Sequence, residues 1–305
     1  MTGRVLYGPA GRPLPGAWVV LHEVSRSGGG RAIDSTRTDA AGTYALAVPH
    51  PDTAAIYVIS SRRAGIAYFS EPVVPRPRGG GPARLRPLYV YDTSATAGPV
   101  ALVRRLVTVA GRQRDGTREV LELLELENPG RATRIAPDTL HPTWGGAIPA
   151  AAIQFRVGEG DVSPQAVTRV GDSVLVFAPL PPGERKQVSY AYVLPADVRR
   201  LELPVDQPTG EFDLLLEDTT AGVVLPRGQP LGTEALGERR FARYRATALG
   251  AGTAVAVTFP PPRGVAPERL VPVVVAVAAL ALGAGFVVAL RRRPSGPIAP
   301  APPSG

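Results

Sequence analysis

The sequence contains no cysteine among its 305 residues. Disulfide bonds, thiolate catalysis and zinc or iron–sulfur sites built on cysteine are therefore excluded. This absence does not locate the protein, because a domain with an adequate core needs no disulfide even outside the cell. Lysine is nearly absent as well: Lys186 is the only one, so arginine carries almost all of the positive charge behind the net charge of +8.

Residues that usually carry catalysis are scarce. The three histidines, His22, His50 and His141, lie far apart, and none has a second histidine at the spacing of a helical zinc pair. No G-x-S-x-G motif surrounds a serine, and the glycine runs at 28–30 and 79–81 lack the Lys-Ser/Thr of a phosphate-binding loop. The sequence therefore predicts no catalytic residue, no cofactor and no metal, and hence a protein that is not an enzyme.

A concentrated basic stripe is missing too. Of 34 basic residues, against 26 acidic ones, three form the triplet at 291–293, and most others are scattered singly or in pairs. A nucleic-acid-binding domain usually combines a basic stripe with a recognisable motif. We therefore predict that the protein has no nucleic-acid partner.

Glycine and proline, by contrast, are abundant, at 34 residues each. They separate short apolar segments at intervals of about ten residues, which is typical of an antiparallel β-sandwich. The sequence predicts an all-β fold: two antiparallel β-sandwich regions, followed by a single transmembrane helix. The predicted regions are a sandwich at 1–74, a Pro/Gly/Arg-rich linker at 75–87, a second sandwich at 88–259, a linker at 260–269, the helix at 270–290 and a cytoplasmic tail at 291–305.

The first region contains three stretches in which turn-forming residues separate apolar segments: "GRVLYGPAGRPLPGAWVVLHEV", "TRTDAAGTYALAV" and "IYVISSRRAGIAYFSEPV". Gly16 closes a turn ahead of a strand, and Asp39 with Gly42 forms a hairpin turn in which glycine tolerates a positive φ. Together these stretches resemble the carboxypeptidase regulatory-like domain, a small prealbumin-like sandwich. The resemblance implies a non-catalytic β-module of a kind often grouped with carbohydrate-binding-like folds, without an active site.

The second region is similar to bacterial envelope modules in which "VYDTS", "ELENPG" and "PLPPGE" recur after such a domain, and this similarity implies no activity. Within it, "REVLELLELE" alternates imperfectly, so a helix is the competing interpretation. We favour a strand because "ENPG" ends the stretch and its neighbours are predicted strands.

Two stretches of the second region are candidates for binding. Asp213, Glu217 and Asp218 lie close in sequence and could hold a cation, although the spacing of a calcium loop is absent. "HPTWGG" has the composition of a recognition loop, so His141 and Trp144 are the candidate surface for a partner or ligand. The competing interpretation is that Trp144 packs in the core of the region.

Residues 270–290 contain no charged, amide or hydroxyl side chain. As a helix they would span about 31 Å, which matches the hydrocarbon core of a bilayer. Three arginines follow the run, whereas Arg263 and Arg269 precede it, so the positive-inside rule places the C-terminus in the cytoplasm and 1–269 outside. Export needs a signal, and we expect one upstream of Met1. If Met1 is the true start, the competing interpretation is a tail-anchored protein with a cytoplasmic head.

These features predict a membrane-anchored, extracytoplasmic β-sandwich protein with a non-catalytic binding or scaffolding role in a bacterial cell envelope. Its expected partners are the membrane, crossed once, and an envelope protein, with a carbohydrate as the alternative ligand. Two other interpretations stay open. One is a carbohydrate-binding module protein, and the other is an envelope hydrolase with dispersed carboxylates, whose catalytic pair would lie about 5–9 Å apart.

Overall fold

The computed structural model describes residues 1–25, 29–48, 51–52, 54–73, 83–96 and 98–261. The described chain consists of β-strands, most of them antiparallel, with a single 3-10 turn at Pro164–Ala166. The predicted all-β, antiparallel character is therefore confirmed.

The strands, in chain order, are β1 (Thr2–Tyr7), β2 (Arg12–Pro13), β3 (Trp18–Val24), β4 (Gly30–Arg37), β5 (Thr43–Ala45), β6 (Ile56–Arg63), β7 (Ile66–Phe69), β8 (Leu88–Val90), β9 (Thr93–Ser94), β10 (Ala101–Val109), β11 (Arg118–Glu127), β12 (Thr133–Arg134), β13 (Trp144–Ala147), β14 (Ile153–Val157), β15 (Val167–Val170), β16 (Ser173–Val176), β17 (Arg185–Leu194), β18 (Arg200–Leu203), β19 (Thr209–Leu216), β20 (Gly222–Val224), β21 (Gln229–Leu236), β22 (Arg239–Leu249) and β23 (Val255–Thr258). The stretch for which a helix was the alternative is strand β11, as favoured.

These strands form sheets of two to seven members. The largest runs in the order β14-β17-β11-β10-β19-β22-β21. Two four-stranded sheets are formed by β4-β3-β6-β7 and by β2-β1-β5 with β8 added beside β1. The smaller sheets are β13-β16-β15, β18-β23-β20 and β12-β9.

The chain divides into two compact units. Unit 1 holds 1–103, 124–147 and 160–188, and unit 2 holds 104–123, 148–159 and the described residues from 189 onward. The predicted sandwich limits at 74 and 88 stay a prediction.

The core of unit 1 is shared by its two four-stranded sheets. One sheet contributes Val5 and Tyr44, and the other contributes Leu21, Tyr57 and Ile59, all within a single buried cluster. Alternation explains this packing, because every second side chain of a strand points to the same face.

Two turns of this unit have the predicted chemistry. Gly42 has a φ of +72° and Gly16 a φ of +69°, a conformation that glycine adopts without steric cost. Asp39 Oδ1 accepts hydrogen bonds from the backbone N–H groups of Ala41 and Thr43, at 2.9 and 2.8 Å. The predicted turn at Asp39–Gly42 is confirmed, but it is not a hairpin, because the strands it connects, β4 and β5, belong to different sheets.

The described end of the predicted linker, residues 83–87, contacts the first strand, whereas 75–82 lie outside the described residues. Leu85 donates its N–H to Thr2 and packs against the core of unit 1. Strand β8 then pairs in parallel with β1, Leu88 opposite Val5 and Val90 opposite Tyr7. Thus residues 83–90 complete the sheet that β1 begins.

Strand β19 of unit 2 is buried on both faces. Phe212 and Leu214 are fully buried on one side and Asp213 on the other, and the neighbouring Leu215 belongs to an apolar cluster with Leu236 and Phe241. A strand covered on both faces loses the alternation of polar and apolar residues.

The predicted transmembrane helix at 270–290, its flanking tail and most of the 260–269 linker lie outside the described residues. Within the described part of the chain, no helix has the length and apolar character needed to cross a bilayer.

Candidate functional site

The two residues of the predicted recognition loop lie in different environments. Trp144 begins β13 opposite Val176 and is 6% exposed, with its ring over Gly146, where a side chain would collide with it. His141 is exposed and its Nδ1 lies 2.8 Å from Asp138 Oδ2. This contact lowers the pKa of the Asp138 carboxyl. The burial of Trp144 favours the competing interpretation, a core residue, and leaves His141 as the accessible member of the pair.

The carboxylates proposed as a cation site are each engaged by arginine. Glu217 accepts hydrogen bonds from both Arg239 Nε and Nη2, and Asp218 lies 3.2 Å from Arg118 Nη2. Asp213 contacts a different group of arginines, Arg104, Arg243 and Arg245. Among the described residues, no group of three or more histidines and carboxylates could hold a metal ion.

Asp213 is fully buried and surrounded by three arginines. Arg245 Nε donates to Oδ1 at 2.8 Å, Arg104 Nη2 donates to Oδ2 at 2.7 Å, and Arg243 Nη2 lies 3.5 Å away. Burial alone would raise the pKa of this carboxyl, but hydrogen bonds from Arg245 and Arg104 outweigh it and lower the pKa to about 2. Glu211 and Glu234 complete the set by pairing with the same arginines.

A second buried pair joins β10 and β11. Arg105 Nε donates to Glu122 Oε2 at 2.8 Å and its Nη2 donates to Oε1 at 3.1 Å. The hydroxyls of Tyr190 and Tyr192 donate to the same carboxylate, and Arg105 Nη1 donates to the Pro204 carbonyl. Every oxygen of Glu122 thus has two donors, and the side chains are almost completely buried.

These two networks can position strands but have little capacity for catalysis. Burial first, and the adjacent Glu122 charge second, raise the pKa of the Tyr190 and Tyr192 hydroxyls well above their ordinary value. A carboxylate whose lone pairs are already taken cannot abstract a proton or attack a substrate without breaking the pairs. Their arrangement is that of structural ion pairs.

An apolar outer face lies on the sheet β4-β3-β6-β7. The register pairs Trp18 with Arg37, Val20 with Ser60, and Ser60 with Phe69. Because directly opposed residues point to one side of a sheet, these side chains share a face. The face, called here the outer face, comprises Trp18, Val20, His22, Val24, Gly30, Ala32, Ser35, Arg37, Ile56, Val58, Ser60, Arg62, Ala67 and Phe69.

The outer face is turned away from the core of unit 1. None of its apolar residues belongs to the core cluster or packs against it within the described residues. Trp18 is 49% exposed and Phe69 60% exposed. The Arg37 guanidinium lies over the Trp18 ring at 5.2 Å, while His22 Nε2 contacts Ser60 Oγ at 2.7 Å beside Phe69. Each of the two exposed aromatic rings therefore has a neighbouring side chain of the same face beside it.

No protein-family model and no curated protein matches this chain.

Sequence reasoning did not identify the outer face, although a signal was present. The strands "WVVLHEV" and "IYVISSRR" are apolar at consecutive positions, whereas a strand with one solvated face should alternate. The residues of these strands that point inward pack in the core of unit 1. The apolar residues at the alternate positions point to the other side of the sheet and form the outer face.

Proposed function

We propose that this protein is a membrane-anchored, extracytoplasmic β-sandwich protein with a non-catalytic binding or scaffolding role in the cell envelope. Its N-terminal β-structure would be a carboxypeptidase regulatory-like domain. The observation that carries the proposal is the outer face, an apolar sheet surface with two exposed aromatic side chains. Contiguous apolar surface on a soluble domain is typical of a site that a partner covers.

The ionisable residues support binding rather than catalysis. The most deeply buried carboxylates, Asp213 and Glu122, are bonded to arginines and tyrosines. A hydrolase with two catalytic carboxylates would need at least one of them accessible to substrate. The candidate carboxylates of unit 2 have structural partners instead.

The preferred partner is a protein whose contact surface is apolar at the centre and acidic at the rim. Among the outer-face residues themselves, the arginine and carboxylate side chains are Arg37 and Arg62, and both are exposed. Rim charges steer association and select a complementary partner.

Membrane anchoring rests on the sequence of 270–290, and the absence of cysteine makes its topology easy to test. Single cysteines introduced as Asp172→Cys, in an exposed turn, and as Ser295→Cys, in the tail, would each be the only thiol of the chain. We expect a membrane-impermeant maleimide to label position 172 in intact spheroplasts and position 295 only after lysis. Labelling of 172 only after lysis would refute the extracytoplasmic placement.

The outer face is tested by photo-cross-linking in living cells, with the photoreactive residue at position 62. We expect a discrete cross-linked species that disappears when Trp18→Ser or Phe69→Ser is also present. The control is Leu140→Ser, which removes an 80% exposed leucine outside this face and should leave the cross-link unchanged. Equal loss in the control, or a cross-link insensitive to Trp18 and Phe69, would contradict a docking role.

A carbohydrate is the second candidate ligand, favoured by one observation. The half-exposed Trp18 ring and the His22–Ser60 pair offer a stacking surface next to hydrogen-bonding groups. In affinity electrophoresis through gels containing envelope polysaccharides, this alternative predicts retardation of the parent protein that Trp18→Ser abolishes. Unretarded migration in each gel would leave the protein partner as the better explanation.

A further inference from the structure

Three motifs that the proposed function does not use converge in unit 1. Strand β9 of "VYDTS" pairs in parallel with β12, Thr93 opposite Thr133. Asn128 of "ELENPG" donates to the carbonyls of Ala132 and Leu180, at 2.8 and 2.7 Å, and Leu180 belongs to "PLPPGE". The loop 128–132 is thereby fixed between the other two motifs.

Beside this junction lies a cleft of about 410 Å³. Its lining consists of Tyr7, Gly8, Pro9, Ala10, Arg12, Asp92, Arg131 and Ala132. A water molecule occupies roughly 30 Å³ in the liquid, so the cleft is large enough for a small organic group and not only a bare ion.

The wall of the cleft is organised around Tyr7. The guanidiniums of Arg63 and Arg12 lie over its ring, at 4.3 and 5.2 Å from the centroid. Asp92 Oδ1 accepts from Arg63 Nε at 3.0 Å, and its Oδ2 accepts from the Tyr7 hydroxyl. These contacts fix the position of the ring and lower the pKa of the Asp92 carboxyl, chiefly through the Tyr7 bond.

The charges of the cleft do not balance. Asp92 is the one carboxylate in its lining, and both of its oxygens are occupied. Arg12 and Arg131 have no carboxylate partner among the described residues, unlike Arg31 and Arg86, which pair with Glu23 and Glu71 in the same unit. An arginine stacked on a ring by its flat face keeps its N–H donors free at the edge.

We propose that this cleft binds an oxyanion, a phosphate or carboxylate group carried by a small organic moiety such as a sugar, through the guanidiniums of Arg12 and Arg131. A phosphate and a carboxylate each accept paired hydrogen bonds from the planar guanidinium of arginine. Tyr7 is a positioning residue because Arg12 lies over its ring, and Arg63 and Asp92 act through Tyr7 by holding that ring in place. The proposal is independent of the outer face, which lies on the other sheet of unit 1, and of membrane anchoring.

The test uses the full chain in detergent micelles and isothermal titration calorimetry with four probes: inorganic phosphate, glucose 6-phosphate, glucuronate and glucose. We expect saturable binding of at least one sugar anion and none of glucose. Preference for glucose 6-phosphate identifies a phosphate ligand, and preference for glucuronate identifies a carboxylate ligand. Absence of binding by both sugar anions overturns the proposal, as does equal binding of glucose.

The decisive comparison is between two double variants of equal charge. Arg12→Gln with Arg131→Gln should weaken binding of the preferred anion at least tenfold. Arg31→Gln with Arg86→Gln removes the same two charges from paired, exposed arginines and should leave the affinity within about twofold. Equal weakening by both would show non-specific attraction and refute a built site. Tyr7→Phe, which keeps the ring, should weaken binding while the urea midpoint stays near that of the parent; unchanged affinity would remove Tyr7 from the positioning role.

Discussion

Buried charge is concentrated in this protein at a few residues, and Arg105 is the clearest case. Its guanidinium is 3% exposed and its partner Glu122 is fully buried. The pair stabilises the fold only while both members are present, because an isolated buried charge has lost its hydration without compensation. Truncating one member therefore has a larger effect than the pair itself contributes.

Arg105→Met should lower the free energy of unfolding by about 3–5 kcal/mol, since it leaves the Glu122 charge with only tyrosine donors. The measurement is urea denaturation followed by circular dichroism. Adding Glu122→Leu to this variant should restore part of the loss. The control is Arg86→Met, which breaks an exposed pair and should cost under about 1 kcal/mol. A cost for Arg105→Met as small as that of the control would mean that water hydrates the pair.

Asp213 makes stability depend on acid pH. Its pKa in the folded state is about 2, below the ordinary value of an unfolded aspartate. A lowered carboxyl pKa stabilises the fold above the unfolded pKa, and this stabilisation, about 2 kcal/mol, is lost as the pH falls from about 4 towards 2. We therefore expect parent and Asp213→Asn proteins to differ most at neutral pH and to converge near pH 2. Asp172→Asn, at an exposed aspartate, is the control; a parent–Asp213→Asn difference that stays constant across this range would contradict the assignment.

At the scale of elements, turns show which parts of the fold a sequence determines locally. Gly42 and Gly65 both have a positive φ, at +72° and +80°. A Cβ at Gly42 would lie 2.6 Å from the Val5 carbonyl oxygen and 3.0 Å from Leu14 N, whereas nothing lies within 4 Å at Gly65. The glycines in the sequence thus indicate a positive φ at both turns, but the sequence does not show that β1 lies against Gly42.

This pair of glycines separates conformational strain from packing. Gly65→Ala should cost about 1 kcal/mol, the penalty for a non-glycine residue in the left-handed region. Gly42→Ala should cost at least about twice as much, because a backbone clash is added to the same strain. Thermal and urea denaturation of the two variants measure the difference. Equal destabilisation would show that β1 can move away from the turn without loss.

Strand β21 is an element that local sequence rules do not predict. β21, "QPLGTEAL", contains Pro230 and Gly232, which indicate a turn rather than a strand. The structure places β21 at the edge of its sheet, with an irregular register between these two residues. Proline is tolerated there because an edge strand leaves one side unpaired.

Strand β11 shows the opposite case, in which the sequence was ambiguous for a tertiary reason. Its glutamates interrupt the expected alternation, yet Glu122 is buried against Arg105 and Glu119 contacts Arg156 at 2.6 Å. A charged residue at a core position contradicts the expected alternation of polar and apolar residues, and the local sequence does not show its partner on another strand. The same limit applies to Asp213, whose proximity to Glu217 and Asp218 in sequence indicated a cation site that arginines occupy instead.

For the whole molecule, local patterns predicted an all-β fold but not which strands share a sheet. The parallel pairing of β1 with β8 joins residues more than eighty positions apart, and no turn between them encodes it. The anion cleft depends on the same pairing, since it brings Asp92 beside Tyr7. A site that depends on such a pairing leaves no signal in the local sequence, whereas the outer face left one, which was overlooked, in the consecutive apolar positions of β3 and β6.

The buried tyrosines have a consequence at the alkaline end of the pH scale. Burial raises the pKa of the Tyr44 phenol to about 12, and those of Tyr190 and Tyr192 lie well above the ordinary value. A raised phenol pKa does not change the free energy of unfolding well below about pH 10, because the phenol is then protonated in both the folded and the unfolded protein. Above it, the unfolded chain releases protons that the folded chain retains, so stability falls as the pH rises. The arginines keep their charge throughout this range.

Tyrosine ionisation should therefore act as an optical reporter of global opening. In a titration above pH 10, we expect a late step in the ultraviolet absorbance of ionised tyrosine that coincides with loss of the β-sheet dichroism signal. Tyr192→Phe should reduce the amplitude of that step. A gradual absorbance change with the dichroism intact would mean that hydroxide reaches these phenols in the folded protein. Otherwise the phenols bonded to Glu122 make proton release and unfolding one event, and the ultraviolet absorbance of the solution reports the integrity of the fold.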